Sequence, residues 1–133
     1  MATFNFELVS PERVLFSGAV DAVVLPASEG DMTVLAGHAP MMTTLKTGFL
    51  VVTSTPGNGT RVLVRGGFAD ISQNGLTVLA ERALPAEELT HEILDKEILQ
   101  AEMAWDATND PIARQAAESA IAQLREAKEA LTY

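Results

Sequence analysis

The sequence predicts a chain of two parts, an N-terminal antiparallel β-sandwich or flattened barrel and a C-terminal antiparallel two-helix hairpin. Two observations lead to this fold class. Residues 3–80 divide into short apolar runs separated by glycine and proline turns. Beyond residue 85 there is no glycine, and the helix-favouring residues Ala, Glu, Leu and Gln dominate. We therefore expect a β-sandwich domain over residues 1–84 and a helical hairpin over residues 85–133.

The strands are predicted from alternation of apolar and polar residues and from the turns between them. Thr3 to Val9 alternates, with its aromatic residues and Leu8 on one face. The predicted strands cover residues 3–9, 14–16, 20–25, two short stretches on either side of residues 37–40, and residues 49–53, 61–65, 68–72 and 76–80. The breaks between them are predicted at Ser17-Gly18, Pro26, Pro56-Gly57-Asn58-Gly59 and Asn74-Gly75, the last being a common two-residue hairpin turn.

The residues from Pro85 onwards predict two helices joined by a short polar turn. Pro85 suits the first turn of the first helix, where Glu87 and Glu88 would complement the positive end of the helix dipole. Residues 108–111, Thr-Asn-Asp-Pro, are typical of a helix end followed by a new N-cap, formed by either central residue. Apolar residues recur at helical spacing: Leu94, Ile98, Ala101 and Trp105, then Ala113, Ala117, Ala120, Leu124, Ala127 and Leu131. The acidic residues fall on the opposite faces, which we expect to be solvated.

Residues 29–48 form the most distinctive stretch of the β-domain. They combine a Glu-Gly-Asp turn, a short apolar strand, a Gly-His-Ala-Pro bend and a second short strand closed by Gly48. Gly30 and Gly37 can adopt the positive φ values of tight turns, and proline stiffens the bend. Asp31 is expected to point outward beside this turn. Its carboxylate either pairs with an arginine of a partner or is only a solubilising charge on the loop.

Three further residues of this stretch are candidate contacts. His38 is either a turn histidine bonded to local backbone or an exposed contact residue on a loop that meets a partner. Met32 and Met42 are either core residues or adaptable contact residues, because methionine suits both environments. Together with Asp31 they are the candidate partner-contact residues of the chain.

The sequence offers no catalytic, metal or cofactor site. There is no cysteine, which excludes thiolate ligands and cysteine nucleophiles. The two histidines, His38 and His91, fall in different predicted domains, and neither has other ligand residues at metal-binding spacing. No phosphate-binding loop or nucleophile elbow is present. An enzyme that acts alone is therefore the weaker hypothesis.

Charge and hydropathy limit the classes of partner. The net charge of −9 argues against nucleic acid and against direct binding to anionic lipid, and it suits a basic protein partner. No stretch approaches the ~18 apolar residues that a membrane helix needs. The N-terminal residues do not resemble a signal peptide. We expect any membrane association to come through other proteins.

Several motifs, in matching order, resemble the epsilon subunit of bacterial F-type ATP synthases. They are the Glu-Gly-acidic turn with Gly-His-Ala-Pro inside residues 29–40, Phe16-Ser17-Gly18 upstream, and Arg65-Gly66-Gly67-Phe68 and Thr77-Val78-Leu79-Ala80 downstream. The resemblance covers nearly the whole chain and is looser in the helices, where residues 120–125 match best. It implies a non-catalytic rotor subunit of the central stalk, which couples proton flow through the c-ring to ATP synthesis on the beta subunits.

The same resemblance implies partners and a location. The β-domain would contact the gamma subunit and the c-ring, and the hairpin would have a regulatory or structural role, with the alpha and beta subunits as further partners. The protein would be peripheral, on the cytoplasmic face of the inner membrane. In the family, inhibition of ATP hydrolysis by the hairpin relies on basic residues. Residues 85–133 contain only Lys96, Arg114, Arg125 and Lys128, so this role stays open.

Some members of the family bind ATP through an Ile/Leu-Asp-x-x-Arg-Ala motif at the start of the first helix. Here Leu89 matches the first position, and the Asp, Arg and Ala positions hold Thr90, Ile93 and Leu94. Family arginines of the second helix fall on Ser119 and Gln123. Because the charged donors to phosphate are missing, we predict that this chain binds ATP weakly or not at all under physiological conditions.

The competing hypothesis is a stand-alone ligand-binding β-domain with a helical appendage. A small molecule that stays bound through purification would favour it. Co-purification with a stalk protein would favour the rotor subunit.

Overall fold

The computed structural model describes residues 3–54 and 58–131 and divides into two compact units, Met1–Ala86 and Glu87–Tyr133. The described residues form ten strands, a short 3-10 helix (Ala86–Glu88) and two α-helices. The strands are β1 (Phe4–Val9), β2 (Val14–Val20), β3 (Ala22–Ala27), β4 (Gly30–Leu35), β5 (Met41–Leu45), β6 (Gly48–Ser54), β7 (Asn58–Val64), β8 (Gly67–Ser72), β9 (Gly75–Ala80) and β10 (Ala83–Pro85). The helices are α1 (His91–Asp106) and α2 (Pro111–Ala130). The predicted fold class is confirmed.

The sheet consists of two five-stranded halves. Its order is β10-β7-β6-β3-β5-β8-β9-β1-β2, with β4 on the other side of β3. The halves, β4-β3-β6-β7-β10 and β5-β8-β9-β1-β2, join where Ala27 pairs with Leu45. Side chains from both halves form the core, including Phe6, Leu8, Leu25 and Leu50, each at most 1% exposed. Within the described residues the pairing is antiparallel except between β1 and β9, which is parallel.

Two predicted strand breaks in this sheet are wrong. Strand β2 continues through Ser17 and Gly18, because its regular pairing with β1 overrides the local turn preference of these residues. The interruption falls instead at Asp21. Pro26 lies inside β3 and does not end it. Its carbonyl accepts a hydrogen bond from the Lys46 N–H (3.0 Å), so the ladder uses the one backbone group that proline keeps.

Glycines account for the turn geometry. Gly30 (φ +133°) and Gly37 (φ +83°) adopt the expected positive φ values. Gly48 opens β6 and does not close the preceding strand, which ends at Leu45; a Cβ on Gly48 would lie 2.8 Å from the Pro26 Cβ.

The hairpin predicted at Asn74-Gly75 is present, but its turn is shifted by one residue to Gln73-Asn74. Gly75 is the first residue of β9 and pairs with Asn5, and a Cβ there would lie 2.2 Å from the Asn5 carbonyl oxygen. The glycine is therefore required by the β1–β9 contact rather than by the turn. The turn predicted at 56–59 lies partly outside the described residues, since residues 55–57 are not described.

The helical unit is a hairpin whose start differs from the prediction. Pro85 lies in β10, paired with Val62, and α1 begins six residues later, capped by Thr90, whose Oγ1 accepts the Ile93 N–H (3.1 Å). Asp110 caps α2, as one of the two predicted alternatives, with Pro111 as its first residue.

The seam between the helices is mostly alanine. Its buried apolar residues are Leu94, Ala101, Ala117, Ala120, Leu124 and Ala127. Ala113, predicted in the stripe, is exposed, and Ile98 and Trp105 are half-buried. The prediction that all helical acids are solvated is wrong for Glu97, which is 1% exposed.

Candidate partner-binding surface

The predicted contact residues occupy different parts of the β unit. Asp31 is exposed as the second residue of β4, and Met32 beside it packs partly buried against the core. Met42 lies on β5, in the other half of the sheet, and is 64% exposed. The strand pairing therefore does not place Met42 beside Asp31.

His38 lies half-buried in the loop between β4 and β5. Its Nδ1 donates to the Ala39 carbonyl oxygen (2.8 Å). This is the bond to local backbone that the first of the two alternatives for His38 predicts. The ring also lines a cavity of about 250 Å³ together with Phe4, Leu35 and Ile71. The residue is thus held by its own loop and still reaches a surface opening.

An apolar row crosses the outer face of the second half-sheet and was not predicted from sequence. Cross-strand pairing aligns Phe68 of β8 with Leu79 of β9, Leu79 with Val9 of β1, and Val9 with Val14 of β2. We call these four residues the apolar row. Phe68 is 39%, Leu79 41% and Val14 58% exposed. These four apolar residues occupy successive cross-strand positions, and exposed apolar residues grouped in this way are candidates for a binding surface.

A groove accompanies the apolar row. It has a volume of about 520 Å³ and is lined by Val9, Pro11, Phe68 and Leu79, with Glu81 among the remaining lining residues. Most of its lining is apolar, so it offers a partner side chain burial rather than hydrogen bonds.

Close approach of the backbone explains the glycines beside the row. Gly66 and Gly67 have φ values of +77° and +128°. A Cβ on Gly67 would lie 2.2 Å from the Leu79 carbonyl oxygen. Only glycine lets β8 meet β9 at this point, and the contact sets Phe68 directly opposite Leu79. One signal of the apolar row is present in the sequence. On the outward face of β8 the apolar Phe68 is followed by the polar Asp70, and on the outward face of β9 the polar Thr77 is followed by the apolar Leu79.

Two of the hairpin positions that align with the nucleotide motif of the family have structural roles in this chain. Thr90 caps α1, and Leu94 is fully buried. Leu89, Ile93 and Gln123 are half-buried, and Ser119 is exposed. The cations near the open end are paired with acids: Lys128 with Asp95 (2.6 Å) and Arg125 with Glu102 (3.4 Å).

Neither a metal cluster nor a membrane-crossing helix is found in the part of the chain that the structure describes. No group of three or more acidic, His or Cys side chains there could hold a metal ion. No described helix is long and apolar enough to cross a membrane.

Comparison with known proteins assigns the family. Residues 3–86 match the family described as ATP synthase, Delta/Epsilon chain, beta-sandwich domain. The chain is 53% identical over 107 residues to the ATP synthase epsilon chain of Parvibaculum lavamentivorans. The aligned residues make up 80% of this chain and 81% of the relative. The chain belongs to the ATP synthase epsilon family. A second relative, the ATP synthase epsilon chain of Sinorhizobium medicae, is 50% identical over 108 residues, 81% of each chain.

The chain is also similar to a chain in a solved ATP synthase structure. A chain of the Euglena gracilis mitochondrial ATP synthase, in a structure of its OSCP, F1 and c-ring parts, has a TM-score of 0.74 and 28% identity, covering 98% of this chain and 82% of its own length. As an epsilon-family member, the chain is a subunit of ATP synthase other than the catalytic one. The family match spans the unit that carries the apolar row and Asp31.

Proposed function

We propose that this chain is the rotor subunit that ties the central stalk to the c-ring. It would couple proton flow through the ring to ATP synthesis on the beta subunits, with no catalysis of its own. The observation that carries this proposal is the apolar row, which exposes apolar side chains on the unit that matches the family. Family membership also counts against the stand-alone ligand-binding domain.

The apolar row is the proposed contact with the gamma subunit. Its residues lie on four neighbouring strands, so the backbone beneath them is held by the sheet and little order is lost on binding. Burying exposed Phe, Leu and Val side chains contributes roughly 25 cal/mol for each Å² removed from water. Met42 lies two residues from Thr44, which pairs with Phe68, and would extend the same surface.

Asp31 is the proposed contact with the c-ring, and His38 lies on the neighbouring loop. A carboxylate on an exposed turn can pair with a basic side chain of a polar loop, and such a pair adds specificity more than affinity. The protein would sit peripherally on the cytoplasmic face of the inner membrane, held there only by the complex. The hairpin would act without a nucleotide clamp, through packing and through further contacts with the alpha and beta subunits.

Phe68→Asp tests the apolar row, with Thr60→Asp as the matched control. Both variants add one negative charge at an exposed position, but Thr60 lies on β7, in the other half of the sheet. Each purified chain is added to ATP synthase depleted of this subunit. We expect Phe68→Asp to bind at least about tenfold more weakly, a loss of about 1.4 kcal/mol, and Thr60→Asp to bind like the unmodified chain. Equal binding by both variants would exclude the apolar row as the interface.

A further inference from the structure

Strand β4 has one open edge. Within residues 3–54 and 58–131 it pairs with β3 on one side and with no strand on the other. The two strands form a regular hairpin whose turn is Ser28-Glu29 and whose first pair is Ala27 with Gly30. The pairs of an antiparallel ladder alternate between hydrogen-bonded and non-bonded. Counting from the turn, Gly30, Met32 and Val34 direct their backbone groups to β3.

The intervening residues, Asp31, Thr33 and Leu35, therefore direct their backbone N–H and C=O groups away from the sheet. Pro26 supports this assignment, because it lies opposite Asp31 and its carbonyl bonds Lys46 on the far side of β3. The Leu35 carbonyl is already used, since it accepts the His38 N–H at 3.1 Å. Two carbonyls and three N–H groups remain along this edge.

The usual protection of an edge strand is weak here. Natural sheets shield edges by short strands, proline, bulges or charge. β10, at the other end of the same half-sheet, has three residues and contains Pro85. β4 has six residues in unbroken register and a single charge, Asp31. Leu35, at its far end, is 55% exposed and lines the 250 Å³ cavity beside His38.

We propose that the β4 edge takes up an extended segment of a partner polypeptide by β-strand addition. Main-chain hydrogen bonds to the open edge would provide affinity, and alternate side chains would provide specificity. The chemistry of the edge specifies the segment: a Lys or Arg near Asp31 and Glu29, both exposed acids, and an aliphatic residue against Leu35 and its cavity. The proposal rests on the proposed function in that the segment belongs to another subunit of the ATP synthase.

Hydrogen exchange with residue resolution tests the edge directly. The full chain is measured alone and bound to ATP synthase depleted of this subunit. We expect the amides of Asp31, Thr33 and Leu35 to exchange about tenfold or more slowly in the complex. The amides of Met32 and Val34 serve as internal controls, because they already bond β3. Unchanged exchange at the three outward amides would overturn the proposal, and so would slowing in the free chain as its concentration rises, which would indicate a second copy.

Thr33→Pro and Thr33→Val form a matched pair of variants. Proline removes the outward N–H and is tolerated on an edge, whereas valine keeps the N–H and changes only the side chain. We expect Thr33→Pro to bind the depleted complex at least about tenfold more weakly and Thr33→Val to bind within about twofold of the unmodified chain. Equal binding by a folded Thr33→Pro chain contradicts strand addition. If that variant does not fold, the exchange experiment decides.

The two proposals fail in different ways. Failure of the unmodified chain to bind the depleted complex would reject the rotor function itself. If the unmodified chain binds but the outward amides of β4 exchange as fast as in the free chain, strand addition is rejected and the rotor function is not affected.

Discussion

The β unit and the helical hairpin are stabilised in different ways. The β unit surrounds a core of large apolar side chains drawn from both half-sheets, such as Phe6, Leu25 and Leu50. The hairpin has a narrow seam in which four of the six buried apolar residues are alanine. Alanine lets helices approach closely but buries little apolar area. The β unit therefore supports a fixed surface, whereas the hairpin depends on a few individual contacts.

Those contacts are polar and lie at the two ends of the hairpin. At the turn, the Arg114 guanidinium stacks 4.0 Å above the Trp105 ring, and its Nε donates to the Thr108 carbonyl (2.7 Å). At the open end, the His91 Nε2 lies 3.1 Å from the Leu131 carbonyl oxygen, next to the Lys128–Asp95 ion pair. Substitutions in the two units should therefore differ in how much stability they remove and in which elements they affect.

Gly67→Ala should give the largest effect. The new Cβ would meet the Leu79 carbonyl oxygen at 2.2 Å, in a positive-φ conformation that alanine disfavours. Backbone strain and overpacking together predict a loss of about 4 kcal/mol in the free energy of unfolding. Chemical denaturation measures it. The control is Gly59→Ala, whose Cβ would have no neighbour within 4 Å; a similar loss in both would contradict the close-approach argument.

Leu124→Ala should come next and act on the hairpin. Leu124 is fully buried on α2, and truncation of a buried leucine costs about 3 kcal/mol. We expect faster amide exchange along α1 and α2 with unchanged protection in the core strands. Leu99→Ala is the matched control, because Leu99 is 56% exposed. Faster exchange in both units would show that they unfold together.

Arg114→Ala should have a smaller effect at the hairpin turn. It removes the ring contact with Trp105 and the bond to the Thr108 carbonyl, for a loss of about 1.5 kcal/mol. Arg125→Ala removes an exposed ion pair with Glu102 and should cost no more than about 0.5 kcal/mol. The measurement is the thermal stability of the helical signal. Equal losses of stability in Arg114→Ala and Arg125→Ala would mean that the contacts at the turn stabilise the hairpin no more than an exposed ion pair does.

Asp31→Arg should leave folding almost unchanged and impair coupling. Asp31 is exposed, and such changes usually alter stability by no more than about 0.5 kcal/mol. Proton pumping by reconstituted complexes should fall, and Asp31→Asn should give an intermediate result, because it removes the charge without reversing it. Normal pumping by the Asp31→Arg complex would remove Asp31 from the contact.

ATP should have the smallest effect. With Thr90, Ile93, Ser119 and Gln123 at the family positions, no charged donor is available there for phosphate. If the dissociation constant for ATP exceeds the ATP concentration used, ATP stabilises the folded chain by less than about 0.4 kcal/mol. Calorimetry with ATP and Mg²⁺ checks it. Low-micromolar binding would show that other residues form a nucleotide site.

Much of the fold could be predicted, because alternation and helical spacing are local signals. The errors fall where tertiary pairing overrides local preference. Gly18 stays in β2 because β1 pairs with it, and Gly75 serves the β1–β9 contact rather than the hairpin turn. The sequence predicts a helix at Pro85, because the three-residue pairing of β10 is too short to leave a periodic pattern in the sequence.

The candidate surface could be predicted only in part. Asp31 is predictable, because a charge beside a glycine turn is visible in the sequence. The apolar row was not, because strand order aligns its residues and strand order is not encoded locally. Phe68 and Val14 are 54 positions apart along the chain and join one row only through Leu79 of β9 and Val9 of β1.

The parallel pairing of β1 with β9 has a consequence for synthesis of the chain. Strand β1 leaves the ribosome before the other strands, but its parallel partner β9 ends only at Ala80. Until then β1 can pair only with β2, and a lone two-stranded hairpin is marginally stable. The contact closes a loop of about 70 residues, which slows folding more than it weakens the folded state. We therefore expect the nascent β unit to complete its sheet in one late step, after β9 has left the ribosome.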